Sequence, residues 1–235
     1  KRINQINYLK MKNLKVNESS TLKNQWIKFK TENPKVRIRD AAKVLNTSEA
    51  ELLATGCNDT VTRLDVNFSD FLEKEIPKLG KVKALTRNDE VVHERNGEYL
   101  NPSFGKNAHV GLFVGEDIDL RIFLHHWEYT FAVSEFARGN ERLSIQFFSK
   151  DGSAIHKIYL LKESNVEVFL KIKESYKHDI QGINENEISS IKVDAVKRNE
   201  NPDREKFQQD WLNLKDTHAF FPLMKKHAVS RLQAL

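Results

Sequence analysis

The chain has 235 residues, 39% of them hydrophobic and 30% charged, with 14 Phe and a formal net charge of +5. That is apolar material enough for a continuous core in one large domain or one and a half smaller ones, and it excludes a disordered chain or a peptide-sized binder. No apolar run approaches the ~20 residues of a bilayer span and no hydrophobic signal segment precedes the first helix, so the expected location is the cytoplasm, without membrane insertion. A single cysteine, Cys57, excludes an internal disulfide and a CxxC-type metal site, and reads as a small loop residue rather than a nucleophile. The basic balance suits an acidic partner without choosing among nucleic acid, a membrane surface and a small carboxylate ligand. The first residue is Lys, which suggests a processed or trimmed chain.

Residues 1–18 are polar and basic and read as a flexible arm. A helical module follows over 19–80. Its first helix carries Leu22, Trp26 and Phe29 at helical spacing and ends before Pro34, because the residue before a proline disfavours the helical region. The pair of helices in "VRIRDAAKVLNTSEAELLATG" comes next, with a capping box from Ser48 to Glu51 and a stop at Gly56. Over 81–161 the period falls toward 2: "KVKALTRN", "VVHERNGEYL", "HVGLFVG", "DLRIFLHHWEYTFAV", "RLSIQFFS" and "AIHKIYLL" are rich in β-branched and aromatic residues, and "SKDGS" is a hairpin turn. The predicted fold class is α+β, a large antiparallel sheet of about six strands with flanking helices, the last of them within 165–178. Residues 179–202 read as a polar linker. A new helix then starts with Asn201 as N-cap and Pro202 in first place, favoured by Asp203 and Glu205. Aligning Trp26 with Trp211, and after a three-residue gap Ser48 with Ser230, gives an internal repeat with a period near 185, of which 203–235 would be the truncated second copy.

The helical pair at 37–55 has the size of a DNA-binding helix-turn-helix, but Glu49 and Glu51 at the start of its second helix would repel phosphates. A module packed on the sheet is the favoured reading. Strict alternation over 119–133 places Arg121, Phe123, His125 and Trp127 on one face and His126 on the other, so His125 and His126 cannot chelate one metal from a regular strand. An arginine beside an aromatic row is more often a surface cation on a ring than a ligand group. His93, His109, His156 and His178 have no metal-site spacing and read as structural or solvated. Near the end of the chain Trp211, Leu214, His218 and Phe221 fall on one helical stripe, which makes His218 a core histidine in the plain reading. The alternative needs a large flat apolar ligand facing His218, with negative charge for Lys225, Lys226 and Arg231. Haem meets that description, and Pro222 should bend the helix beside the histidine.

The blocks "ENPKVRIRDAAKVLNTSEAEL", "KALTRNDEVVHERNGEY", "DLRIFLHHW", "LSIQFFSKDGSAIHKIYL" and "DTHAFFPLMKKHAVSRLQAL" resemble, in order, the bacterial cytoplasmic haem-utilisation family of HemS and ChuS type, the haemin-degrading or haem-trafficking proteins. Members contain two similar halves, so the resemblance implies one repeat of a two-repeat fold plus the start of the second. It implies haem (iron protoporphyrin IX) as cofactor, His218 as proximal iron ligand, Arg121 reaching the opposite side of the haem as its catalytic arginine, Phe123 lining the pocket and Arg231 binding a propionate. Pro222 and Leu232 depart from the small and the polar residue expected at their positions.

The function so implied is haem binding after import, with delivery of the haem or its oxidative degradation to release iron, driven by external electrons since no reductase or flavin motif is present. A haem-importer component, a haem oxygenase or a reductase are the implied partners, with a homodimer possible through an exposed sheet edge. The competing readings are a helix-turn-helix, DNA-associated regulator and a haem carrier without catalysis.

Overall fold

The computed structural model describes residues 21–105, 109–137, 139–184, 187–190, 201–215 and 219–234, and the contacts divide the chain into two units, 1–191 and 192–235. In the first unit helix α1 (Leu22–Glu32) is capped by Thr21, whose hydroxyl accepts from the Asn24 amide at 3.4 Å. It ends ahead of Pro34, as expected. Helices α2 (Ile38–Val44) and α3 (Glu49–Ala54) follow. The predicted capping box is present: the Glu51 amide donates to Ser48 Oγ at 3.2 Å and the Ser48 amide to Glu51 Oε2 at 2.8 Å. Phe29, Ala41, Ala42 and Leu52 form a small core of their own between these helices.

Among the described residues nine strands follow in two antiparallel sheets. The large sheet has the order β1 (Val61–Leu64), β7 (Trp127–Ala137), β8 (Asn140–Ser149), β9 (Ala154–Leu160), β2 (Val82–Arg87), β3 (Val92–Gly97). The small one has the order β4 (Ser103–Phe104), β5 (Val110–Phe113), β6 (Leu120–Phe123). The count of six in the large sheet agrees with the sequence, but its membership does not. "HVGLFVG" and the first part of "DLRIFLHHWEYTFAV" leave it for the small sheet, and β1, too short to show a period, enters it. The long strand expected over 119–133 breaks at a 3-10 turn, Leu124–His126, where the Leu124 amide donates to the His109 carbonyl at 2.8 Å. The face alternation read across that stretch therefore fails. Arg121 and Phe123 belong to one sheet and Trp127 to the other, and the His125 and His126 rings lie 4.2 Å apart instead of on opposite faces. Among the described residues no group of three His, Cys, Asp or Glu could hold a metal ion.

One face of the large sheet (Ala132, Ile145, Phe147, Ile158, Val82, Ala84) carries the main core. It is closed by α4 (Phe68–Lys74) through Phe71 and Leu72, by α5 (Val166–Ser175) through Phe169 and Ile172, and by the inner face of the small sheet through Phe113 and Ile122. Each fully buried Phe contributes about 2–3 kcal/mol by removal from water. The small sheet owes its thin inner layer to Gly111: a Cβ there would lie 1.9 Å from the Phe104 ring, which crosses the glycine to meet Phe113 at 5.6 Å. On the other face of the large sheet Tyr129, Phe131, Val133 and Phe148 bury against Ala50 and Ala54 of α3. The "SKDGS" turn forms as predicted, with Gly152 at φ +74 and its carbonyl accepting from the Ala50 amide at 3.0 Å.

The stretch expected as a linker, 179–202, is not free in its first part. His178 donates its amide to Arg63 O at 2.9 Å, Gln181 Oε1 accepts from the Arg63 amide at 2.9 Å, and Arg63 pairs with Glu187 at 2.9 Å. The polar composition that suggested a linker serves to satisfy the open edge of β1.

In the second unit α6 (Arg204–Leu212) is capped by Asp203, which accepts from the Lys206 amide at 3.1 Å, so the cap lies two residues beyond the expected Asn201. The single bent helix expected through His218 is two helices. α6 stops at Leu212 and α7 (Phe220–Lys226) begins eight residues later, with Pro222 in its first turn, where the missing N–H costs no helical bond. Among the described residues of both units no helix is long and apolar enough to cross a membrane.

Candidate functional site

The small sheet has one face in the core, so its other face is solvent-exposed. By register Phe123 stands opposite Val110, and Arg121 opposite Leu112. Phe123 is 54% exposed and Val110 41%, and Arg121 is exposed with no hydrogen-bond or ion-pair partner among the described residues. The result is an uncovered ring and aliphatic side chain beside an unpaired guanidinium. This surface can stack a flat apolar ligand and donate hydrogen bonds to an anion or an oxygen atom at its centre or rim. Arg121 and Phe123 are thus brought together as predicted, although by β6 alone and not by the long strand. Val110 and Leu112 were missed because cross-strand neighbours cannot be read from one strand's alternation.

The remaining candidates lie in the second unit. His218 is outside the described residues; its neighbours in the chain are the end of α6 and the start of α7. The stripe that singled it out is not continuous, since Phe221 is 65% exposed and the helix is broken. Arg231 is exposed next to Leu232, itself 75% exposed, and has no partner among the described residues. Of the cations expected to await an anion, Lys226 is already engaged: its Nζ lies 2.7 Å from Asp210 Oδ2, which His227 Nε2 also approaches at 2.7 Å. These bonds hold the Asp210 carboxyl below the usual carboxylate range. Phe207, Trp211 and Phe220 stack edge to face around the pair, Phe207 with Trp211 at 5.6 Å and Trp211 with Phe220 at 4.8 Å.

Two other features that the sequence left open have structural roles. His156 is fully buried, with Nδ1 2.7 Å from Thr86 Oγ1 and Nε2 2.6 Å from the Tyr99 hydroxyl, and burial pushes its pKa down to about 4. Tyr99 packs on Phe113 at 4.9 Å, so this network ties the large sheet to the small one that carries Arg121. The α2–α3 pair uses both of its faces for packing, Glu49 forming a buried ion pair with Lys157 and Glu51 closing the capping box.

The comparisons with known proteins show the family. A model of the haemin-degrading HemS.ChuX domain matches residues 46–176. The hemin transport protein HemS of Yersinia enterocolitica is 31% identical over 217 residues, 92% of this chain and 61% of its own length. Among solved structures, holo-PhuS, a heme-binding protein from Pseudomonas aeruginosa, is 34% identical with a TM-score of 0.74 over 91% of this chain and 61% of that one. The heme-degrading enzyme ChuS of Escherichia coli O157:H7 is 28% identical with a TM-score of 0.71, over 91% of this chain and 60% of that one. The chain thus spans about three fifths of the length of these relatives, and it belongs to the HemS/ChuX haemin-degrading family.

Proposed function

We propose that this protein binds haem in the cytoplasm after import and passes it on or opens it oxidatively to release iron. The observation that carries the reading is Arg121, without a partner among the described residues, beside the exposed Phe123 on the solvent face of the small sheet, in a chain 34% identical to a heme-binding protein. In this reading His218 would ligate the iron, Phe123 and Val110 would offer the ring apolar surface, Arg231 would pair with a propionate, and Arg121 would donate hydrogen bonds toward the bound group. Bound haem supplies the iron that accepts the imidazole and the redox chemistry toward oxygen. The chain's own contribution would be the Arg121 guanidinium on β6, exposed and without a partner among the described residues, which could donate hydrogen bonds toward the bound group. Electrons come from a reductase outside the chain, and an importer component or a haem oxygenase stands on either side of it in the haem route. Residues 203–235 open a second repeat, and the exposed edge strand β3 is the place where a second copy would add to the sheet.

Haemin titration followed by the Soret band tests the ligand assignment. The 235-residue chain and a form extended to the length of its relatives are compared with and without His218→Ala. One haemin per extended chain, with its spectrum lost or shifted by the substitution, is the expected result; identical spectra would return His218 to a packing role. Turnover with an external reductant then separates carriage from catalysis by the presence of a ring-opened tetrapyrrole.

A further inference from the structure

Arg87 is the last residue of β2, and the alternation of that strand turns its side chain away from the main core. Val82 and Ala84 face that core, and Thr86 on the same side bonds to His156, so Arg87 points to the face on which α3 lies. There it enters a cleft of about 280 Å³, lined by residues of α2, the start of α3, the β2–β3 turn and the β8–β9 turn. The charged groups in the cleft are three cations, Arg39, Lys43 and Arg87, and three carboxylates, Glu49, Asp89 and Asp151.

Each carboxylate is already engaged. Asp89 Oδ1 accepts from Lys43 Nζ at 2.9 Å and from Arg39 as well. Asp151 Oδ1 accepts from the Ser153 amide at 3.0 Å, the Ser153 hydroxyl at 2.6 Å and the Ser149 hydroxyl. Glu49 is neutralised by Lys157. Arg87 is different: it has no hydrogen-bond, ion-pair or ring partner among the described residues, and its Nε is sealed from water with no acceptor. A buried donor left unmatched is costly, the more so on a charged group, and natural structures keep one where a bound ion or an ordered water completes it. A water would match the N–H but not the charge.

The unmet capacity of the cleft is thus all donor and all positive. With Glu49 neutralised, three cations stand against two carboxylates, and their field is felt: the Lys43 bond first, then the charges of Arg39, Lys43 and Arg87, holds the Asp89 carboxyl below the usual carboxylate range. The volume lies just under the ~300–1,000 Å³ of pockets for drug-sized ligands, so the ligand is small. A planar carboxylate is satisfied by one guanidinium fork. Here cations come from two elements, Arg87 from β2 and Arg39 and Lys43 from α2, an arrangement that suits the spread oxygens of a tetrahedral oxyanion. Asp89, on an exposed turn with its side chain 61% exposed, competes with such an anion for Arg39 and Lys43.

We propose that this cleft binds a phosphate group, free or as the monoester of a small metabolite, with Arg87 as its anchor, Arg39 and Lys43 as lesser partners, and Asp89 as a competitor that limits affinity. The site is separate from the surface of Arg121 and Phe123, since the small sheet packs on the opposite face of the large one.

The test is calorimetric titration of the 235-residue chain with inorganic phosphate, against potassium chloride of equal ionic strength. One saturable site per chain is expected with phosphate only. Arg87→Met should weaken it by at least about tenfold, the order of one charge-assisted hydrogen bond, and Arg87→Lys, which keeps the charge without the fork, should fall between. Asp89→Asn should act in the opposite direction and tighten binding several-fold. Because Nε of Arg87 makes no bond, Arg87→Met should unfold in urea at or above the wild-type midpoint without phosphate, and phosphate should raise the midpoint of the wild type alone. If Arg87→Met fails to fold, Arg87→Lys and Asp89→Asn decide the matter. Malonate, with two planar carboxylates, should bind several-fold more weakly than phosphate. Tighter binding of glycerol 3-phosphate than of inorganic phosphate would mark a monoester as the ligand, and the reverse order the free ion. No saturable phosphate binding by the wild type, wild-type affinity in Arg87→Met or Arg87→Lys, weaker binding in Asp89→Asn, or malonate binding as tight as phosphate would each overturn the proposal.

Discussion

Thr21 and Asp203 cap their helices by the same bond, Asn46 and Ala228 turn with the same positive φ, and Ser48 and Ser230 close the same box, yet the side chains between these points differ in kind. At matching places, 182 residues apart, stand Phe29 and Trp211, Val36 and His218, Leu45 and His227, Glu49 and Arg231. What the two stretches share is backbone: caps, helix limits and a left-handed turn are local requirements that many sequences meet. What they do not share is the use of the frame. In the first unit it presses α3 onto the sheet. In the second the corresponding positions bear an arginine without a partner among the described residues and the proposed iron ligand.

The largest effect should come from the charge that the two units carry with opposite sign at 49 and 231. Glu49 and Lys157 have side-chain exposures of only 8% and 9% and pair with each other, so Glu49→Leu leaves an ammonium buried without a counter-charge. A loss of about 3–5 kcal/mol in urea unfolding is expected, most of it recovered by adding Lys157→Met. Arg231→Leu, at an exposed position, should change stability by less than about 0.5 kcal/mol while weakening haemin binding. Equal costs at 49 and 231 would mean that the frames are not used differently.

A second contrast concerns the histidines. His218 is proposed to bind iron, whereas His156 is sealed between Thr86 and Tyr99 with its pKa lowered to about 4 from 6.5. Its folded form resists protonation while the unfolded chain accepts a proton, so stability is whole above pH 6.5 and falls as the pH drops from 6.5 toward 4. That loss is on the order of 3 kcal/mol, from 1.36 kcal/mol per pKa unit. Urea midpoints measured across this range should fall for the wild type and stay flatter for His156→Gln. Because the Tyr99 link braces the small sheet, haemin binding should weaken over the same range, and His156→Gln should flatten that profile together with the urea midpoints.

Much of this contrast could be read from residues alone. Pro34, the Ser48–Glu51 box and the Gly152 turn are local signals, and each stands where the sequence puts it. Arg121 and Phe123 share a face because alternation over three residues survives any larger error. The failures are tertiary. In "LHH" two polar residues in a row interrupt the apolar alternation, but a histidine pair suits a strand and a 3-10 turn alike, so one strand was expected where two sheets meet. β1 is four residues and pairs with β7 over sixty residues away, beyond the reach of any local pattern. The repeat was misplaced by three residues in its first helix because Trp26 was matched to Trp211 by identity. The backbone matches Trp211 to Phe29, the ring that fills the same place between helices. The bonds of Asp210 to Lys226 and His227 were invisible because these partners lie 16 and 17 residues away across a helix break that the apolar stripe concealed.

The smallest effect tests the frame itself. Asn46 and Ala228 occupy the same left-handed turn, at φ 54 and φ 50, but only asparagine tolerates it well, since a Cβ without a local polar partner crowds the following carbonyl. The turn is imposed on Ala228 by bonds that match those around Asn46. The Val229 amide donates to Met224 O at 2.9 Å, as the Thr47 amide does to Ala42 O at 3.0 Å, and the box at Ser230 follows as at Ser48. Ala228→Gly should therefore stabilise the second unit by about 0.5–1 kcal/mol, whereas Asn46→Gly should leave the first within a few tenths. Native-state hydrogen exchange at the Val229 and Gln233 amides reads the former and at Thr47 and Glu51 the latter. Slower exchange in Ala228→Gly alone would show that the same turn is built twice, from a residue suited to it in one unit and a strained one in the other. No change, or faster exchange, would mean that Ala228 is not held in the turn and that the 182-residue correspondence does not extend through it.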